Sequence, residues 1–95
     1  MDKEPFKHLI PRKLFTIVKP FVDYDGIIHQ KGGVYTFVGS DFLPYDDGLT
    51  LRFTSEGSAV TFRLQWRAET QMEIIENLED YFAGIESHDI HSRRF

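Results

Sequence analysis

Leu49-Thr50-Leu51-Arg52-Phe53-Thr54-Ser55-Glu56-Gly57-Ser58-Ala59-Val60-Thr61-Phe62-Arg63-Leu64-Gln65-Trp66 is the stretch that decides the fold. On either side of Glu56-Gly57 apolar residues alternate with polar ones. Leu49, Leu51 and Phe53 share one face of a strand, and Val60, Phe62, Leu64 and Trp66 one face of the next. One apolar and one polar face is what an antiparallel pair covering a core requires. Glu56-Gly57 suits a two-residue hairpin turn, with glycine supplying positive φ. If Ser55 pairs with Ser58, Phe53 opposes Val60 and Leu51 opposes Phe62. Both apolar rows then lie together, and a slip by one residue would turn one of them to water.

Working outward, Val34-Tyr35-Thr36-Phe37-Val38 predicts a strand ended by Gly39 and followed by a nine-residue connection, residues 40–48. Residues 14–22 predict a first strand with Phe15, Ile17 and Phe21 on one side. Pro20 cannot donate to a ladder, so its later half reads as an edge or bend. Asp23-Tyr24-Asp25-Gly26 and Lys31-Gly32-Gly33 are turn signals, with Ile27, Ile28 and His29 in a loop or splayed hairpin between them. On the other side, a helix is expected from residue 68 or 70 to 83. Ile75, Leu78, Phe82 and Ile85 recur at steps of three and four, opposite Glu69, Glu73, Glu76, Glu79 and Asp80. Thr70-Gln71-Met72-Glu73 fits a capping box and Gly84 a terminator. The expected organisation is a basic N-terminal arm (1–13), one globular domain (14–85) and a tail (86–95), with Phe6, Leu9 and Ile10 available to pin the arm. The fold class is α+β, mainly β: a bent antiparallel sheet or small barrel of four to five strands with one C-terminal amphipathic helix.

The chain has 95 residues, 41% of them hydrophobic and 15% aromatic, enough for one core and no second domain. The absence of cysteine excludes disulfides, thiolate zinc sites and thiol nucleophiles. No stretch approaches ~18 consecutive apolar residues, the minimum for a membrane-spanning helix. The N-terminus lacks the basic-then-apolar layout of a secretory signal, so a cytoplasmic location is expected. Net charge is −4. Lys3, Lys7, Arg12, Lys13, Arg93 and Arg94 make the ends basic, whereas acids outnumber bases in the body. Such a body repels a phosphate backbone and attracts a basic protein.

Candidate binding residues lie in two acidic-aromatic segments, Asp23, Tyr24 and Asp25 in one and Asp41, Tyr45, Asp46 and Asp47 in the other. Tyrosine offers large contact area at low entropy cost, and flanking carboxylates select a basic partner. Side by side, the two loops could grip a basic or proline-rich peptide. The structural alternative gives Phe42 and Leu43 to the core as plugs and the aspartates to backbone N–H groups. Neither segment has the spacing of a calcium loop. Arg52, Arg63 and Arg67 form an alternative nucleic-acid face, although threonines and Gln65, not aromatics, lie between them. His88-Asp89-Ile90-His91 lacks the rigid surroundings of a metal site. No serine or histidine stands in a nucleophile motif, so neither catalysis nor a cofactor or metal is expected.

Phe42-Leu43-Pro44-Tyr45-Asp46-Asp47-Gly48-Leu49-Thr50-Leu51, Phe62-Arg63-Leu64-Gln65-Trp66-Arg67 and Glu76-Asn77-Leu78-Glu79-Asp80-Tyr81 together resemble a family of small bacterial domains of unknown function. The resemblance spans about residues 15–83 and implies a bacterial origin, without an activity, cofactor or partner. The order of elements is similar to a Src-homology-3-like barrel with an added helix, an analogy of layout that carries no function. The leading expectation is a non-enzymatic interaction module, compatible with an inhibitor, immunity or adaptor role, that binds a protein with a basic surface. The alternative is a nucleic-acid-binding barrel. No membrane contact is expected, and both a monomer and a homodimer paired through a sheet edge are compatible with the sequence.

Overall fold

The computed structural model describes residues 4–86. Strands β1 (Leu14–Ile17), β2 (Phe21–Val22), β3 (Ile28–His29), β4 (Gly32–Leu43), β5 (Gly48–Ser55) and β6 (Ser58–Gln65) precede helix α1 (Met72–Glu76). A 3-10 turn (Leu78–Asp80) then leads into β7 (Phe82–Ile85). Five strands form one antiparallel sheet in the order β6-β5-β4-β1-β7, and β2 pairs with β3 in a separate ribbon.

The β5–β6 hairpin has the register its alternation demands: Ser55 opposes Ser58, Phe53 opposes Val60, and Leu51 opposes Phe62. Glu56 and Gly57 both have positive φ, 54° and 81°. A primed type I turn needs positive φ at both positions, because only that twist matches the strands it joins. Glutamate adopts this conformation at a cost that asparagine largely escapes. Glu56→Asn is therefore expected to stabilise the domain by about 0.5 kcal/mol and raise its melting temperature by about 2–4 °C in a thermal scan.

Two expectations are corrected. First, β4 does not stop at Gly39. Phe37 opposes Phe53 while Gly39 opposes Arg52, so Val38 is an extra residue in a β-bulge. Beyond it Ser40, Asp41, Phe42 and Leu43 pair with Leu51, Thr50, Leu49 and Gly48, leaving only residues 44–47 as the turn. Phe42 opposes core-facing Leu49 but sits at the end of the row, 44% exposed and edge-to-face with Trp66 at 6.1 Å, so it does not plug the core. Second, the helix is one short turn and a half. Asn77 leaves helical geometry (φ −123°), and Phe82–Ile85 pairs with β1. Without β7, one side of β1 would carry unpaired peptide groups, and satisfying them outweighs a weak helical preference. No capping box forms: the Thr70 hydroxyl donates to the carbonyls of Gln65 and Arg67, and Glu73 accepts from the Tyr81 hydroxyl. Of the two forms the sequence left open, a bent sheet or a small barrel, the structure takes the first: the sheet is open, with β6 and β7 as its two edges.

It is nonetheless strongly curled. Four interstrand spacings would separate β6 from β7 by about 19 Å in a flat sheet, yet the rings of Phe62 on β6 and Phe82 on β7 lie 5.6 Å apart. Phe21 of the ribbon fills the seam, 5.7 Å from Phe62 and 5.6 Å from Phe82. Ile75, Leu78, Phe53, Phe37 and Leu9 complete the core. Leu9 is fully buried, His8 Nε2 donates to the Phe82 carbonyl at 2.7 Å, and Phe6 meets Trp66 edge-on. Residues 4–13 thus lie against the domain, with Ile10 exposed. Among the described residues no helix is long and apolar enough to cross a membrane. His88-Asp89-Ile90-His91 lies outside them.

Candidate functional site

The first acidic segment forms the turn between β2 and β3. Asp23 is buried and faces inward. Its Oδ1 accepts the amides of Asp25 (2.9 Å) and Ile27 (3.0 Å), and its Oδ2 accepts His29 Nε2 (2.8 Å). Burial pushes its carboxyl up. Hydrogen bonds from His29 and the two amides, with the charge of His29, outweigh burial and hold it below the ordinary carboxylate value. His29 itself packs against Phe21 and Phe62, so this pair staples the ribbon to the core. Tyr24 donates its amide to the Arg63 carbonyl at 2.7 Å, latching the turn to the edge of β6. Its half-exposed ring lies 5.7 Å from the Arg63 guanidinium, which also pairs with Asp25 at 3.1 Å.

The second segment is the β4–β5 turn. Asp46 Oδ1 accepts the Gly48 amide at 3.0 Å, and the Asp46 carbonyl accepts Gln65 Nε2 at 3.1 Å. A β-carbon on Gly48 would lie 2.9 Å from Asp46 Oδ1, so the closeness of this contact depends on glycine. Asp47, at φ 54°, accepts the Trp66 amide on its carbonyl and Arg67 Nε on its carboxylate, 2.8 and 2.9 Å. Tyr45 stands at the tip, 82% exposed. Asp41 lies on the outer sheet face, paired with Arg52.

The two turns meet. Tyr24 from one and Leu43 and Asp46 from the other line a pocket of about 50 Å³ with Arg63 and Gln65, backed by buried Leu49 and Leu64. Of the residues singled out in the sequence, Tyr24, Asp46 and Arg63 line this pocket, Tyr45 stands outside it at the tip of its turn, and Asp25 and Asp47 are held in ion pairs with Arg63 and Arg67. Asp23 points into the fold and Asp41 away across the sheet. Arg52, Arg63 and Arg67 do not form a cationic stripe, because each meets an aspartate. Among the described residues no group of three histidines and acids is arranged to hold a metal. Leu43, offered with Phe42 as a core plug, is instead 49% exposed, and Gln65 is the residue sequence reasoning missed. Gln65 alternates as a solvent-facing residue, yet is 7% exposed because the Asp46 turn folds over it. No periodicity signals that.

The sequence profile of a family described as a domain of unknown function, DUF3601, matches residues 4–87. No curated protein matches the chain. Among solved structures it is similar to an integron cassette protein from the mobile metagenome of Vibrio cholerae. The two share 36% identity with a TM-score of 0.85, over 88% of this chain and 93% of that one.

Proposed function

The chain belongs to the DUF3601 family of domains of unknown function, and on that premise we propose that it is a non-enzymatic interaction module whose two acidic-aromatic turns receive a protein with a basic surface. The observation that carries this reading is Tyr45: an aromatic ring 82% exposed on a turn whose backbone is held by Gln65, Trp66 and the Asp46 carboxylate. A rigidly presented tyrosine loses little freedom on binding and contributes large contact area. Phe42 and Leu43, each about half exposed, extend the apolar surface beside it. Ion-paired Asp47 on the same turn and Asp25 on the neighbouring one supply the polar surroundings that a protein interface has about its apolar centre. Asp46 is in no ion pair among the described residues, and its carboxylate favours a cation.

The nucleic-acid alternative has less support. A phosphate would have to compete with Asp41, Asp25 and Asp47 for Arg52, Arg63 and Arg67, and the acidic body would oppose it. The test is an array of lysine- and arginine-containing peptides, probed with wild type and Tyr45→Ala. Because this ring is almost wholly outside the core, the variant should melt like wild type. Its affinity for the retained peptides should fall about tenfold or more, as for a hot-spot side chain. Equal affinity would remove Tyr45 from the surface, and a wild-type protein that retains no basic peptide would overturn the function.

A further inference from the structure

Resting on that reading, we propose that the pocket between the two turns receives the ammonium end of a single lysine side chain from the partner. The pocket's unmet hydrogen-bonding capacity carries the assignment. Gln65 is 93% buried by its 7% exposure and lines the pocket. Its Nε2 donates to the Asp46 carbonyl, which fixes the orientation of the amide, since only the NH₂ group can face a carbonyl. Its Oε1 has no hydrogen-bond partner among the described residues. No buried side-chain oxygen or nitrogen is left unsatisfied, so this oxygen keeps access to solvent, and the pocket is where Gln65 has it. It is an acceptor waiting for a donor.

A second acceptor is the Asp46 carboxylate. It accepts one backbone amide and keeps its negative charge without an ion pair. Arg63 also lines the pocket, but its charge is matched by Asp25 and it lies against the Tyr24 ring. Two acceptors, one of them charged, call for a cation that carries N–H donors, which a quaternary ammonium lacks. The Tyr24 ring adds a face that attracts cations, and Leu43, Leu49 and Leu64 suit an aliphatic stem. The volume of about 50 Å³ excludes nucleotides and sugars. It has room for about four water-sized groups, the size of an ammonium and its last methylenes. Lysine carries a compact charge with three donors, whereas the planar fork of arginine would bring five donors to two acceptors.

The probe is N-acetyl-lysine N-methylamide, titrated at millimolar concentration into the ¹⁵N-labelled full chain, with the norleucine and arginine counterparts as comparisons. Asp46→Asn is the variant: its side-chain oxygen still accepts the Gly48 amide, and only the charge is lost. Saturable shifts of the Gln65 side-chain amide and the Gly48 amide are expected with the lysine probe and not with norleucine. The dissociation constant should rise about tenfold in Asp46→Asn, the size of a lost charged hydrogen bond, at an unchanged melting temperature. Absence of saturable shifts, equal shifts from norleucine, equal affinity for arginine, or an unchanged constant in Asp46→Asn would each overturn the lysine pocket. If the pocket fails while Tyr45-dependent peptide binding persists, the interaction module stands without it. If no basic peptide binds either, the reading of the surface falls as a whole.

Discussion

Phe62→Ala is expected to cost about 3–5 kcal/mol, a large share of the ~5–15 kcal/mol that holds a domain together. The ring is 1% exposed. It makes aromatic contacts with Phe21, Tyr35, Phe53 and Phe82 at 5.4–5.7 Å and with His29 at 4.7 Å. These residues come from the ribbon, β4, β5 and β7, so Phe62 stands where the curled sheet closes on itself. Truncation leaves a void that no single neighbour can fill, because each is held by its own strand. Urea denaturation followed by the fluorescence of Trp66 measures the loss, with Phe62→Leu as a conservative control expected to cost less. A loss below about 1 kcal/mol would mean the site collapses freely and that the curl does not depend on this ring.

Asp23→Ala is expected to cost about 2–3 kcal/mol. It removes the buried acceptor of three part-buried hydrogen bonds and leaves two amides and a histidine without it. The same carboxylate gives a pH signature. Its folded pKa lies below the unfolded value, so on acidification the unfolded chain binds the proton first. The stability it contributes is complete above the ordinary carboxylate pKa of 3.8 and is lost as pH falls below that toward the folded value. Asp23→Asn keeps an oxygen for the amides while removing the titration, so its stability should fall less steeply with acid than wild type. Parallel acid limbs for the two proteins would show that another group carries the dependence.

The β5–β6 hairpin was fully legible because every local signal agrees: alternation, a turn dipeptide, and a register with only one apolar solution. The end of the chain was not. Phe82 and Ile85 continue the three-four spacing of Ile75 and Leu78, so a strand there reads as a helix. What decides it is the unpaired side of β1, at the other end of the chain. The bulge at Val38 hid the extension of β4 in the same way, since one extra residue breaks the alternation that a strand is recognised by. At the candidate site, composition pointed to both turns and to their tyrosines. Which aspartates face a partner depended on contacts between distant residues: His29 draws Asp23 inward, and three arginines take Asp25, Asp41 and Asp47. Gln65 emerged only from the turn that covers it.

The pairing of every arginine on β5, β6 and the residues just after them with an aspartate has a kinetic consequence. Opposite charges matched at contact distance leave that face with local dipoles, which decay well within the Debye length of about 8 Å at physiological salt. Such a face does not pull a partner in from a distance. Any long-range pull on a basic partner comes from the unpaired acids elsewhere on the body, so removing one of these pairs as a unit, both charges together, should leave the association rate and its salt response nearly unchanged. Discrimination among partners then lies in residence time, set by how well each fills the surface once it has arrived.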